Sequence, residues 1–119
     1  MSVEIIDASA LAKLKDMIGG DIDDLSELVE DFVDAFPEQA KTMQDQAATS
    51  DWEGLRISAH TLKSNARDMG ASGLSALAAE LESQCKEGAP TDAVSKVVEI
   101  VRDGEAAVRT LQKLDLNSV

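Results

Sequence analysis

Apolar residues recur along the chain at intervals of three and four, and no segment alternates apolar and polar residues as a half-buried strand requires. Every periodic segment is therefore expected to be helical. Asp7 can cap a short first helix carrying Leu11, Leu14 and Ile18, which Gly19-Gly20 stops. Asp21 opens a second segment, where Ile22, Leu25, Val29, Phe32, Phe36, Ala40, Met43 and Ala47 keep the rhythm to residue 48. Pro37 removes a backbone donor and crowds the carbonyl of Val33, so a bend or short break is expected there, with both halves facing one core.

Thr49-Ser50-Asp51 is a turn with capping residues, and Trp52, Leu55, Ala59, Leu62, Ala66 and Met69 then form one helical stripe that Gly70 ends. Leu74, Leu77, Ala78, Leu81 and Cys85 define the next helix, closing at Gly88-Ala89-Pro90. Thr91 can cap a last helix with Val94, Val97, Val101, Val108, Leu111 and Leu114 as its stripe, on which Gly104 is a weak point of about 1 kcal/mol. Residues Asn117 to Val119 are expected to fray. Short turns between amphipathic helices predict an all-α fold: an antiparallel up-down-up-down four-helix bundle, with the short N-terminal helix across one end.

Composition narrows the class. The 119 residues are 44% apolar but only 3% aromatic, which suits a single domain over 1–119 with an aliphatic, alanine-rich core. The one cysteine, Cys85, falls on the apolar side of its helix and reads as a buried thiol in a reducing compartment. Asp7, Lys13, Lys15 and Asp16 interrupt the first twenty residues, so neither a signal peptide nor a membrane span is expected, and the simplest location is cytoplasmic. No glycine-rich phosphate loop or Walker-type lysine is present, and one histidine with one inward cysteine gives no metal-ligand spacing.

Charge then isolates a candidate site. Eleven Lys and Arg against 23 Asp and Glu give a net charge of -12, which repels nucleic acid and anionic lipid. Basic residues are scarce, yet three of them share a helix face with the only histidine, His60. At roughly 100° per residue, His60 lies roughly 130° from the middle of its helix's apolar stripe, pointing outward. Arg56 and Ser64 are one turn away, Ile57 and Lys63 three residues away, and Arg67 two turns on. This arrangement reads as a small local anion site. Taken singly, each residue has a plainer reading: His60 as a polar surface side chain, Arg56 and Arg67 as solvated charges, Ile57 as a scattered surface isoleucine.

The run His60-Thr61-Leu62-Lys63-Ser64-Asn65-Ala66-Arg67-Asp68-Met69-Gly70-Ala71 resembles the signature of histidine-containing phosphotransfer (HPt) domains of two-component phosphorelays. Ile6-Asp7 with Leu11, the Gly20-Asp21 start, Phe32…Phe36-Pro37, Asp51-Trp52 and Leu74…Leu77-Ala78…Leu81-Glu82 extend the likeness over residues 6 to 86, while the last helix, 91–115, matches in type. The resemblance implies that the neutral imidazole of His60 takes a phosphoryl group from a receiver domain's aspartyl phosphate and passes it, reversibly, to another receiver's aspartate. It gives Lys63 the task of neutralising phosphoryl charge. It implies partners among response-regulator receivers and hybrid histidine kinases, with magnesium on the receiver and no cofactor, nucleic acid or membrane for this chain.

Ser64 stands where the family usually has glycine, and Asn65 where a small apolar or hydroxyl residue is usual; both bear on rate and partner fit. Arg56, Ile57 and Arg67 form the candidate receiver-docking face, with Ile57 as an apolar contact ringed by charge. Arg56 and Arg67 carry no family role. Two other readings are a helical adaptor that binds receivers without transfer, and the dimeric phosphotransfer core of a histidine kinase. The second needs an extra apolar surface and a nucleotide-binding domain, so a monomeric, stand-alone carrier without kinase activity is expected.

Overall fold

A computed structural model describes residues 5–119; the first four residues of the expected domain lie outside the described residues. The elements are α1 (Ala8–Met17), α2 (Ile22–Ala48), α3 (Trp52–Asp68), α4 (Ser72–Glu87), α5 (Ala93–Lys113) and a 3-10 turn, Leu116–Ser118. Among the described residues there is no strand. Capping follows the sequence. Asp7, Asp21 and Asp51 accept backbone hydrogen bonds from Ser9, Asp23 and Gly54, satisfying first-turn donors of α1, α2 and α3.

Gly70 ends α3 at φ +80°, a conformation that costs a side chain, and its carbonyl accepts from the Asp7 backbone N–H at 2.8 Å. A Cβ there would lie 2.4 Å from the Asp7 carbonyl oxygen. The glycine thus serves both as a helix stop and as the place where the chain before α1 is tied to the end of α3.

Helices α2, α3, α4 and α5 pack in a ring, each against the next and α5 back on α2, while α1 rests on α2 and α3. One core joins them, in which Leu11, Leu25, Met43, Leu55, Leu62, Leu81, Val97 and Ile100 are the largest fully buried side chains. Burying each contributes roughly 1.5–3 kcal/mol. The most extensive pair is α3–α4. Both carry fully buried alanines, Ala59, Ala66 and Ala78, which let backbones approach closely.

Several expectations change. Helix α2 runs unbroken through Pro37, so of the expected bend or short break the break does not occur. Phe36 and Ala40 flank the proline and are buried, and their packing holds the helical path despite the missing donor. The inward stripe of α5 is Ala93, Val97, Ile100, Gly104, Ala107 and Leu111, not the valine-rich stripe: Val94 is 58% exposed, and Val101, Val108 and Leu114 only flank the core. Gly104 is the reason. A Cβ there would lie 1.9 Å from the Phe36 ring, so the glycine makes the space this ring fills. The residue capping α5 is Asp92 without a side-chain cap bond, in place of Thr91. Instead of fraying, Leu116–Ser118 forms its 3-10 turn, capped by Asp115 and packed on α2. None of the helices among the described residues is long and apolar enough to cross a membrane.

Candidate functional site

With Leu55, Ala59, Leu62 and Ala66 buried, α3 presents His60 outward, its side chain 59% exposed. Two side-chain links fix the helix on either side. The Ser58 hydroxyl donates to Gln46 Oε1 of α2 at 2.8 Å, and the Ser75 hydroxyl of α4 donates to the Lys63 carbonyl at 2.8 Å. His60 therefore rises from a helix anchored to both neighbours, which limits the freedom of the displayed ring.

Beneath the ring lies Glu82 of α4, only 4% exposed. Its Oε2 is 2.7 Å from His60 Nδ1, and its Oε1 accepts from Lys63 Nζ at 2.5 Å. Lys86 Nζ adds a looser approach to Oε2 at 3.6 Å. The Lys63 hydrogen bond, supported by that of His60 and the charges of Lys63 and Lys86, outweighs burial and brings the Glu82 carboxyl from its ordinary 4.5 down to about 2. Glu82 is thus a carboxylate at neutral pH, able only to accept hydrogen bonds. The hydrogen bond consequently places a proton on Nδ1, and in the neutral ring the free lone pair belongs to Nε2. Among the described residues Nε2 has no hydrogen-bond partner.

The other expected site residues are distributed less simply. Lys63 is half-buried and joined to Glu82, although an ammonium has three donors and can meet a second oxyanion. Arg56 turns to Glu53 of its own helix through a two-pronged contact, Nε to Oε2 at 3.1 Å and a terminal nitrogen to Oε1 at 2.6 Å. That contact lowers the Glu53 carboxyl and raises the Arg56 guanidinium. Arg67 is exposed, two turns from His60. The expected cluster of three cations is therefore split: Lys63 converges on the carboxylate under His60, and Arg56 is engaged elsewhere.

Ser64 is half-buried and does not hydrogen bond the imidazole, whose partner is Glu82. Asn65 lines a crevice of about 360 Å³ between α1, α2 and α3, beside Gln39, Asp68 and Met69. Ile57 is 53% exposed at the rim of a second crevice, about 390 Å³, between α2 and α3.

Glu82 and Lys86 are the site residues that the sequence reading gave no role. A signal for Glu82 existed: it stands four residues after Ala78 and three before Cys85, on the inward stripe of α4. An acid on such a stripe needs partners, and the partners are His60 and Lys63 of α3. Cys85, one turn further, is buried, and burial raises its thiol. Among the described residues, no three His, Cys, Asp or Glu side chains gather as a metal site.

A known structure shares this architecture. Histidine-containing phosphotransfer protein B (HptB) from Pseudomonas aeruginosa PAO1 superposes with a TM-score of 0.84 at 23% identity, covering 94% of this chain and 95% of its own. This is a likeness of fold. Comparison with curated proteins gives no match. The sequence model of the Hpt domain matches residues 27–114, a span that holds His60, Lys63 and Glu82 together with most of α2 and all of α3, α4 and α5. The chain belongs to the Hpt domain family.

Proposed function

We propose that this protein is a phosphorelay carrier that receives a phosphoryl group on Nε2 of His60 from the aspartyl phosphate of one receiver domain and delivers it to the aspartate of another. The observation that carries the reading is the pairing of an exposed imidazole with a buried carboxylate, which leaves the nucleophilic nitrogen outward. Phosphoryl transfer asks little beyond in-line alignment and neutralisation of charge on the equatorial oxygens. The Nε2 lone pair attacks phosphorus while the bond from phosphorus to the aspartyl oxygen breaks, and the aspartate leaves as a carboxylate. Lys63, three residues along the same helix, supplies a cation to the phosphoryl oxygens while a second of its donors stays on Glu82.

Membership in the Hpt family supports receivers as the partners, with magnesium carried on their side. The docking face is read as Ile57 with Arg56 and Arg67 around His60, and Ser64 as the position against which the receiver and phosphoryl group close. The helical ring is read as an antiparallel up-down-up-down bundle, supported by the order of helix contacts and the short connections. The carrier is further read as a single monomeric cytoplasmic domain without kinase activity. The test is transfer of labelled phosphate from a phosphorylated receiver: wild type gains an acid-labile, alkali-stable label and His60→Gln gains none. A folded wild type that binds receivers without gaining label would reduce the protein to an adaptor.

A further inference from the structure

We propose that Glu82 is a positioning residue that keeps a proton on Nδ1 of His60 after Nε2 has taken the phosphoryl group, so that the carrier persists as a phosphoimidazolium. The proposal rests on the reading of His60 as the carrier. Its starting point is the balance of the step. A neutral ring with its proton on Nδ1 uses the Nε2 lone pair to bond phosphorus, and the electron pair of the broken P–O bond departs with the aspartate. No proton leaves, so the ring is left cationic.

Whether that cation keeps its Nδ1 proton decides how readily it gives the phosphoryl group away. With the proton in place, breaking the N–P bond returns the electron pair to a neutral imidazole. Without it, the leaving group is an imidazolate anion, far less willing to depart.

The geometry around Nδ1 favours retention. The facing atom is a carboxylate oxygen at 2.7 Å, and the carboxylate is almost wholly excluded from solvent. Loss of the proton would set two lone pairs against each other across 2.7 Å. The cations near this contact hold Glu82 ionised, and the ammoniums of Lys63 and Lys86 also oppose a positive ring directly, so the contact with the carboxylate has to outweigh them. From α3, Lys63 bonds the other carboxylate oxygen and Arg56 adds a weaker field; from α4, Lys86 approaches the same oxygen as His60. The Cys85 thiol, raised by burial, stays neutral beside them. When the phosphoryl group arrives and Lys63 is shared between its oxygens and Glu82, the Glu82 charge facing the ring is less neutralised, so phosphorylation itself strengthens the hold on the proton.

The test uses a small phosphoryl donor, phosphoramidate, so that no receiver is required for loading. Wild type, Glu82→Gln and His60→Gln are treated alike, and phosphorus and imidazole nitrogen NMR follow the phosphorylated ring from neutral to alkaline pH. In wild type the Nδ1 proton should persist to a pH higher by about one unit or more than in Glu82→Gln, as expected when an opposite charge in contact is removed. Return of phosphate to a receiver should slow in the variant, increasingly as pH rises. A second comparison needs no variant: wild type should lose the proton at a higher pH than free Nε2-phosphohistidine. Equal proton loss in wild type and free phosphohistidine overturns the role of Glu82 while leaving the carrier intact. A wild type that gains no phosphoryl group beyond that of His60→Gln overturns the carrier reading, and this proposal with it.

Discussion

Glu82 and His60 stand 22 positions apart in the chain, on neighbouring helices, and their side chains meet at 2.7 Å. The contact ties the exposed residue of α3 to the inward face of α4, so the ring's orientation depends on how those two helices pack. Lys63 shares the carboxylate, and one acid thereby positions both the imidazole and the cation beside it.

The first prediction concerns acid. The folded-state pKa of Glu82 lies below its ordinary value, so its contribution to stability is complete above pH 4.5 and is lost as pH falls toward about 2. At neutral pH, Glu82→Gln should cost about 1–3 kcal/mol through lost charge-assisted hydrogen bonds. The gap to wild type should narrow through the acid window. Chemical denaturation at a series of pH values measures it, and a constant gap would show that the carboxylate is not stabilised by its partners.

Gly104→Ala separates two opposing effects. Helix propensity favours alanine by about 1 kcal/mol, whereas the new Cβ would fall 1.9 Å from the Phe36 ring. Overpacking of this kind costs about 1–3 kcal/mol, and the ring has to move. Net destabilisation is therefore expected, read as a lower Tm, with Phe36→Leu in the same chain recovering part of the loss.

Ser64→Gly should speed transfer to and from receivers by removing a hydroxymethyl one helical turn from His60, where the receiver is proposed to close. Its cost in helix stability is about 0.5 kcal/mol. Quenched-flow transfer rates with one receiver check it; an unchanged rate would mean that the serine leaves the approach open.

Ile57→Asp should weaken receiver binding about tenfold, equivalent to about 1.4 kcal/mol, by placing a charge in the apolar contact proposed for the docking face. Because Ile57 is 53% exposed, stability should change by no more than about 0.5 kcal/mol. Titration calorimetry and thermal melts read the two effects separately.

Much of this molecule is legible in its sequence because its information is periodic. The α2 and α3 stripes, from Leu25 to Ala47 and from Leu55 to Ala66, are buried as their spacing requires, and the aspartate caps of α1, α2 and α3 fall where capping chemistry puts them. On α5 two stripes compete, and hydrophobicity favours the wrong one. Val94 and Val108 are more apolar than Gly104 and Ala107, but the core wall facing Phe36 selects for smallness. The site was half legible: the exposure of His60 follows from its angle to the stripe, whereas Glu82 acquires meaning only when α4 folds against α3 and brings its carboxylate under the ring.

The measurement that tests the account most directly is a two-step transfer. A phosphorylated receiver labels the protein, the labelled protein is purified, and a second, unphosphorylated receiver is added. The account predicts that label appears on wild type, maps to His60, is absent from His60→Gln, and passes to the second receiver's aspartate. Label that reaches the second receiver equally well through His60→Gln would contradict it.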